Sequence, residues 1–501
     1  MKSIKLYILL LALPILAGCT KWLDGAQPTD QNLDNIQYST EAGINSVLNG
    51  FYRTLSSEKL YGSVMTITAL ELLAHYYYYE ENLTNNGDFT YFNYMSRYQY
   101  EESVVKNPFS GVWSEAYSAI FRINSFISAV SASDVLHEGK QRMALGEAYG
   151  LRAFLHLDLF RLFGSKAQGI GIPYNLSAEV IPHETQAPED FFALLLRDIE
   201  QAKELLRDDP IITDGVLDLT QVKPTDNVTE KEIFDRYLRS YRMNYYAVLA
   251  LQARALMFKG DAQAAALVAQ SVIDNAFGDK KPFRWADKRR VDADRNYIFF
   301  SEVIFGVYNF DLYATWEKYI YGTRPGQTYT MSSSMLANIF RFDNTGGSLT
   351  LWEDVRIQQW QPSKVGTGQY ISNKLGRFAR ANENNPIQYY QPLMRMSEMF
   401  YIVIENRLLS GHPVGAMSLL NEVRFNRGSQ YESLPDSTTA TVSGTYEMLE
   451  AEYYKEFYGE GQVFFYLKRK ESNEIFDANA VGKIPVGNIY VIPIPEGERN
   501  I

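Results

Sequence analysis

Apolar residues recur at helical spacing along 142–164 so densely that the segment is apolar on nearly every side. Leu145, Ala148, Leu151, Leu155, Leu159 and Leu162 form the repeating set, and Phe154, Leu157, Phe160 and Phe163 fill the flanks between them. A helix with so little polar surface has to be surrounded by other helices. Arg152 and His156 occupy one narrow polar seam and Asp158 and Arg161 another, and both seams read as satisfied contacts between helices. Gly164 follows as the stop.

The same periodicity predicts a helix at about 40–55 capped by Thr40, and a second from Pro108 to about 130 with Val112, Trp113, Ala116, Ile120 and Ile127 inward. Another helix begins at Pro188. Two Ala-rich helices meet at Gly260-Asp261, and a further pair follows, with Pro413 at the start of its second member. A last helix spans about 446–458, before a stretch of Gly, Pro and short apolar runs. These pairs, around 109–164, 188–276 and 395–428, predict a mainly α fold: a degenerate tetratricopeptide-like helical-repeat scaffold. Long irregular insertions around 57–107 and 280–392 interrupt it, and residues 208–232, with strand-like Ile211 and Ile212, read as a smaller one.

Composition sharpens the picture in two places. The chain has 501 residues, 14% of them aromatic, with 36 Tyr and 6 Trp, more rings than core filling alone suggests. The rings crowd the insertions, where loops on a rigid scaffold usually carry function. The net charge of -11 opposes a nucleic-acid partner, since phosphate contacts need a positive surface. Basic residues at 280–290 interleave with Asp287, Asp292 and Asp294 and read as a solvated loop.

At the N-terminus, Lys2 and Lys5 precede an eleven-residue apolar run at 6–16 that ends in Leu16-Ala17-Gly18-Cys19. That run is too short to span a membrane and has signal-peptide length. The cysteine, the only one in the chain, falls at the cleavage position of a bacterial lipobox, where its sulfur accepts a diacylglycerol. The expected organisation is a lipoprotein signal peptide at 1–18, a lipidated leader at 19–38 and one domain at 39–501, held on a membrane by its lipid anchor.

Catalytic signatures are missing from the sequence. The five histidines are scattered; His137-Glu138 and His183-Glu184 begin like a zinc motif, but Gln141 and Ala187 stand where the second histidine belongs. There is no nucleophile elbow, phosphate-cradling loop or dinucleotide fingerprint. The chain is therefore read as a non-enzyme without metal or cofactor, a surface glycoside hydrolase being the opposed reading from another class.

Several stretches resemble one family. Cys19-Thr20-Lys21-Trp22-Leu23-Asp24, Trp113 with Tyr117, Ile120 and Asn124, residues 146–164, and Ser301-Glu302-Val303-Ile304-Phe305 appear in the order found in SusD/RagB nutrient-uptake outer-membrane lipoproteins. Arg395-Met396-Ser397-Glu398, residues 420–428, 452–457 and 459–470, and the terminal Ile-Pro-Ile-Pro stretch continue the match. The chain departs from the family at 400–405, where bulky residues replace small ones, and in the length of 208–232. The resemblance implies a SusD-like domain in the cell outer membrane, surface-exposed, whose helical side docks on a SusC-like TonB-dependent transporter. It also implies loops that present aromatic platforms to glycans, with peptide uptake as the alternative known among relatives. The candidate ligand-facing rings are Tyr313, Trp316, Tyr319 and Tyr321, with Tyr77, Tyr79, Phe89, Tyr91 and Tyr94 as a second rim.

Overall fold

The computed structural model describes residues 37–78, 87–179, 184–216, 238–322, 328–340, 354–376, 386–429 and 434–498. The signal segment, Cys19, Tyr79, the side chain of Phe89, His183, Trp352 and most of the expected insertion at 208–232 lie outside the described residues. Among the described residues there are fifteen α-helices and nine short strands, the outer ones being β1 (Ile172–Pro173) paired with β2 (Thr185–Gln186) and β8 (Glu474–Phe476) paired with β9 (Lys483–Pro485), so the mainly α expectation holds.

Helix α1 (Glu41–Leu55) is capped by the Thr40 hydroxyl, which accepts from the Gly43 amide, and buries Ile44, Leu48, Phe51 and Leu55 on one face. Two short helices, α2 (Ala69–Leu73) and α3 (Gly87–Ser96), occupy the first insertion. The scaffold proper follows: α4 (Ser103–Ser131), α5 (Glu138–Phe163), α6 (Pro188–Leu205), the single turn α7 (Pro210–Thr213), α8 (Tyr245–Lys259) and α9 (Ala262–Ala276). The second insertion contains α10 (Leu312–Tyr319) and α11 (Ser333–Phe340); the scaffold then resumes with α12 (Met396–Leu409), α13 (Pro413–Asn426), α14 (Val442–Glu456) and α15 (Gln462–Lys470). Helices α4, α5, α6, α8, α9, α12 and α13 form one row in chain order, each lying against the next. The row continues from α9 to α12 across the whole second insertion, so that insertion is an excursion from a continuous scaffold.

Local chemistry explains the junctions. Gly260 ends α8 in a left-handed conformation at φ +96°, and Asp261 then caps α9 by accepting from the Ala264 amide. Pro413 sits in the first turn of α13, where its missing N–H costs nothing. Three expectations change. Pro108 lies inside α4 and does not open it, because Glu102 supports the first turn and Val105 is buried, so tertiary packing outweighs the bond lost at proline. Ile211 and Ile212 lie in a helical turn capped by Asp209, not in a strand. The region after 458 holds the whole of α15, which its apolar faces and the glycines just before it conceal in the sequence. Gly164 does end α5, but in extended geometry; its glycine is needed because a Cβ would come within 2.6 Å of the Phe160 ring.

The polar seams of α5 make contacts between elements as expected, except that the buried Arg161 Nε has no acceptor. Arg152 donates to both oxygens of Asp198 at 2.7 Å and to Asn124; His156 lies between the Arg152 carbonyl and the Asn175 amide. Asp158 accepts from Tyr61 and Arg161.

The second insertion is fastened in two ways. Strands β3 (Val303–Tyr308) and β7 (Tyr390–Arg395) bracket it as an antiparallel pair. Within it β4 (Met331–Ser332), β6 (Gln369–Ser372) and β5 (Trp360–Pro362) form a three-stranded sheet in that order. Beneath lies a buried ion network built from residues distant in sequence. Arg427 holds Glu302 (2.8 and 2.6 Å) and Glu456 (2.6 and 3.0 Å), Arg395 holds Glu456 and Glu460, Arg356 holds Asp354, Glu452 and Glu456, and Lys374 holds Glu460 at 2.6 Å. Burial alone would raise the Glu456 carboxyl; Arg427 and Arg395 outweigh it and hold the group well below the usual carboxylate range. The network joins the second insertion to α13 and α14.

Candidate ligand-binding site

Helix α10 carries three of the four rings expected from the second insertion, and Tyr321 follows two residues past its end. Trp316 is the centre of a three-ring stack: Tyr313 lies at 5.8 Å and 25°, Tyr321 at 5.1 Å and 20°. Its indole N–H donates to the Ser372 carbonyl at 2.7 Å, and Gly376 packs so closely that a Cβ there would stand 2.7 Å from the ring. Only 4% of Trp316 is exposed. This tryptophan is therefore an enclosed support, while Tyr313 and Tyr321 beside it are half-buried. Lys364 donates to the Tyr321 hydroxyl at 3.1 Å and lies over its ring.

The second rim meets this stack through Tyr319. Its ring stacks on Tyr329 at 5.4 Å, and its hydroxyl donates to Glu58 in the first insertion at 3.2 Å. Lys318 also donates to Glu58 and lies over the Tyr319 ring; that hydrogen bond is the largest cause holding the Glu58 carboxyl below its ordinary range. Tyr329 contacts Tyr77 at 4.6 Å and Phe92 at 4.5 Å. The Tyr78 amide donates to the Thr330 carbonyl at 2.7 Å, so the two insertions are joined by backbone as well as by rings.

Tyr77 itself is buried, its hydroxyl donating to the Ile67 carbonyl, and it is part of the foundation rather than of the surface. Tyr91 lies near Tyr319, and burial pushes its hydroxyl well above the ordinary tyrosine range. Tyr94, on the same helix α3, is half-buried against the core.

One ring cluster escaped the sequence reading. Phe310 is 76% exposed at the turn between β3 and α10, flanked by Tyr308 at 4.8 Å and Tyr389 at 5.8 Å, which lie 5.3 Å from each other. An exposed phenyl ring held by two tyrosines is an apolar contact with an uncovered face. Tyr308 and Tyr389 are brought together by the β3–β7 pairing, whose partners stand more than eighty residues apart, so no local spacing reveals it.

Fold and ring geometry together define a helical scaffold whose insertions converge on an aromatic cluster around α10. Residues 21–213 match the family described as starch-binding, associating with outer membrane, and residues 322–494 match the SusD family. The chain belongs to the SusD/RagB family. Its structure is similar to a SusD superfamily protein from Bacteroides thetaiotaomicron (19% identity, 92% of this chain and 97% of that chain covered, TM-score 0.66). It is also similar to a SusD-like carbohydrate binding protein from Bacteroides vulgatus (15% identity, 92% and 96%, TM-score 0.63) and to a laminarin binding SusD-like protein (17% identity, 92% and 98%, TM-score 0.63). No curated protein matches the chain.

Proposed function

We propose that this protein is a non-enzymatic, glycan-binding lipoprotein of the outer membrane that holds oligo- or polysaccharide on its aromatic insertions and delivers it to a SusC-like TonB-dependent transporter. The observation that carries the reading is the convergence of both insertions on α10, with Tyr313, Tyr321 and Phe310 offering ring area at or near the surface. Sugar C–H faces stack on such rings, while Lys364 and nearby carboxylates suit hydroxyl groups. The family description as starch-binding, and a structural relative described as laminarin binding, support a glycan as the ligand class. Binding of this kind requires no proton transfer, which agrees with the lack of catalytic signatures in the sequence. The row of scaffold helices is the surface we assign to the transporter, and Cys19 the lipid attachment.

Isothermal titration of residues 20–501 with laminarin, starch-type glycans and a set of peptides tests the reading. A glycan is expected to bind, and Tyr321→Ala and Phe310→Ala are each expected to weaken it about two- to tenfold, the effect of about 0.5–1.5 kcal/mol per ring contact. Binding of peptides alone would replace the glycan reading with peptide uptake; variants that bind glycan like wild type would move the site away from α10.

A further inference from the structure

Away from the rings, α5, α8, α12, α14 and α15 meet at a narrow cleft of about 30 Å³ whose lining includes Arg161, Arg254, Glu398, Tyr453, Phe465 and Arg469. Its guanidiniums are incompletely used. Arg254 spends Nε and Nη2 on Glu398 and Nη2 also on the Leu393 carbonyl, but its buried Nη1 has no acceptor. Arg161 spends Nη1 on Asp158 and Nη2 on Gln462, but its buried Nε has none. The Phe465 ring covers one face of the Arg161 guanidinium at 3.7 Å, so a further acceptor must approach at the edge. Arg469 is used up on both oxygens of Glu405.

Positive charge is crowded here. Arg161 and Arg254 both line the cleft, and burial, with Arg254 among the opposing charges, pushes Arg161 down to about 10. Lys468, buried next to Arg469 and donating to the Leu162 carbonyl, is pushed well down by burial and then by Arg161.

We propose that this cleft binds one small monovalent anion of chloride size between Arg161 and Arg254. The anion supplies acceptors to the two unused N–H groups and a negative charge between two guanidiniums. About 30 Å³ exceeds the roughly 10–15 Å³ that a single water requires, so the space suits one small spherical ion. An ion there ties α5 to α8, independently of any glycan.

Crystals of the mature protein grown in sodium bromide give the direct test, paired with thermal unfolding in sodium bromide against sodium fluoride at equal ionic strength. The expected result is an anomalous bromide peak beside Arg161 Nε and Arg254 Nη1, and a midpoint that rises saturably with bromide. General salt effects rank the two ions the other way, since weakly hydrated anions weaken burial, so a rise with bromide marks a specific site. An ordered water in place of the peak overturns the proposal. A peak with no thermal response also overturns it and identifies an adventitious ion only.

Discussion

At the scale of single residues, burial decides what a side chain can do, whatever its type. Trp316 has the residue type of a sugar platform, yet it is buried, stacked with Tyr313 and Tyr321, and its N–H is spent on Ser372. Trp316→Ala is expected to lower stability by about 3–5 kcal/mol, as for other buried aromatic truncations, measured by urea unfolding. A loss of glycan affinity at unchanged stability would return the ring to the ligand-facing set. Glu71 gives a second residue-level expectation. It is buried, one oxygen accepts from the Gly461 amide at 2.9 Å, the other has no partner, and burial raises its carboxyl from 4.5 to about 8. Between those values the folded chain holds a proton that the unfolded chain releases, so this contribution is complete below about 4.5 and is lost as pH rises to about 8. Glu71→Gln keeps an acceptor for Gly461 and should flatten the pH dependence of unfolding across that window. An unchanged slope would show that Glu71 is already ionised in the fold.

Between elements, the ion network explains why loops this long hold one arrangement. Arg427 bridges Glu302, at the start of the second insertion, to Glu456 on α14, and every group in that bridge is buried. Removing Arg427 leaves Glu302 without its counter-charge and Glu456 with only Arg356 and Arg395, so Arg427→Met is expected to cost about 3–5 kcal/mol in chemical denaturation. A loss below about 1 kcal/mol would mean that Arg356 and Arg395 can neutralise both acids alone. Glu302, Arg395, Arg427, Glu452, Glu456 and Glu460 fall in scattered short motifs of the sequence, each compatible with ordinary helix packing, whereas Asp354, Arg356 and Lys374 fall in none. Their meeting depends on the α9–α12 contact, which closes the scaffold across more than a hundred residues.

For the whole molecule, the proposed role joins a membrane tether, a helical body and a ring-bearing face. The tether is tested by Cys19→Ser: labelled palmitate should enter the wild-type protein in cells and not the variant, and the variant should leave the membrane fraction. Retention of the variant on the membrane would assign the attachment to another segment. The helical body was largely legible because 3.6-residue periodicity is local: helix α5, the Gly260-Asp261 junction and the Pro413 start all lie close to where their residues place them. Errors arose where a distant neighbour overrode a local signal, as with Val105 burial carrying α4 past Pro108.

The sequence by itself determined the mainly helical scaffold, the interruption of that scaffold by two ring-rich insertions, and the residue types from which a platform is made. Only the tertiary structure decided which rings are support and which present a face: Trp316 and Tyr77 are enclosed, while Phe310 is exposed through the pairing of β3 with β7. The reason is physical. Helix periodicity is written within a few turns of chain, whereas burial of a ring depends on neighbours that arrive from tens to hundreds of residues away.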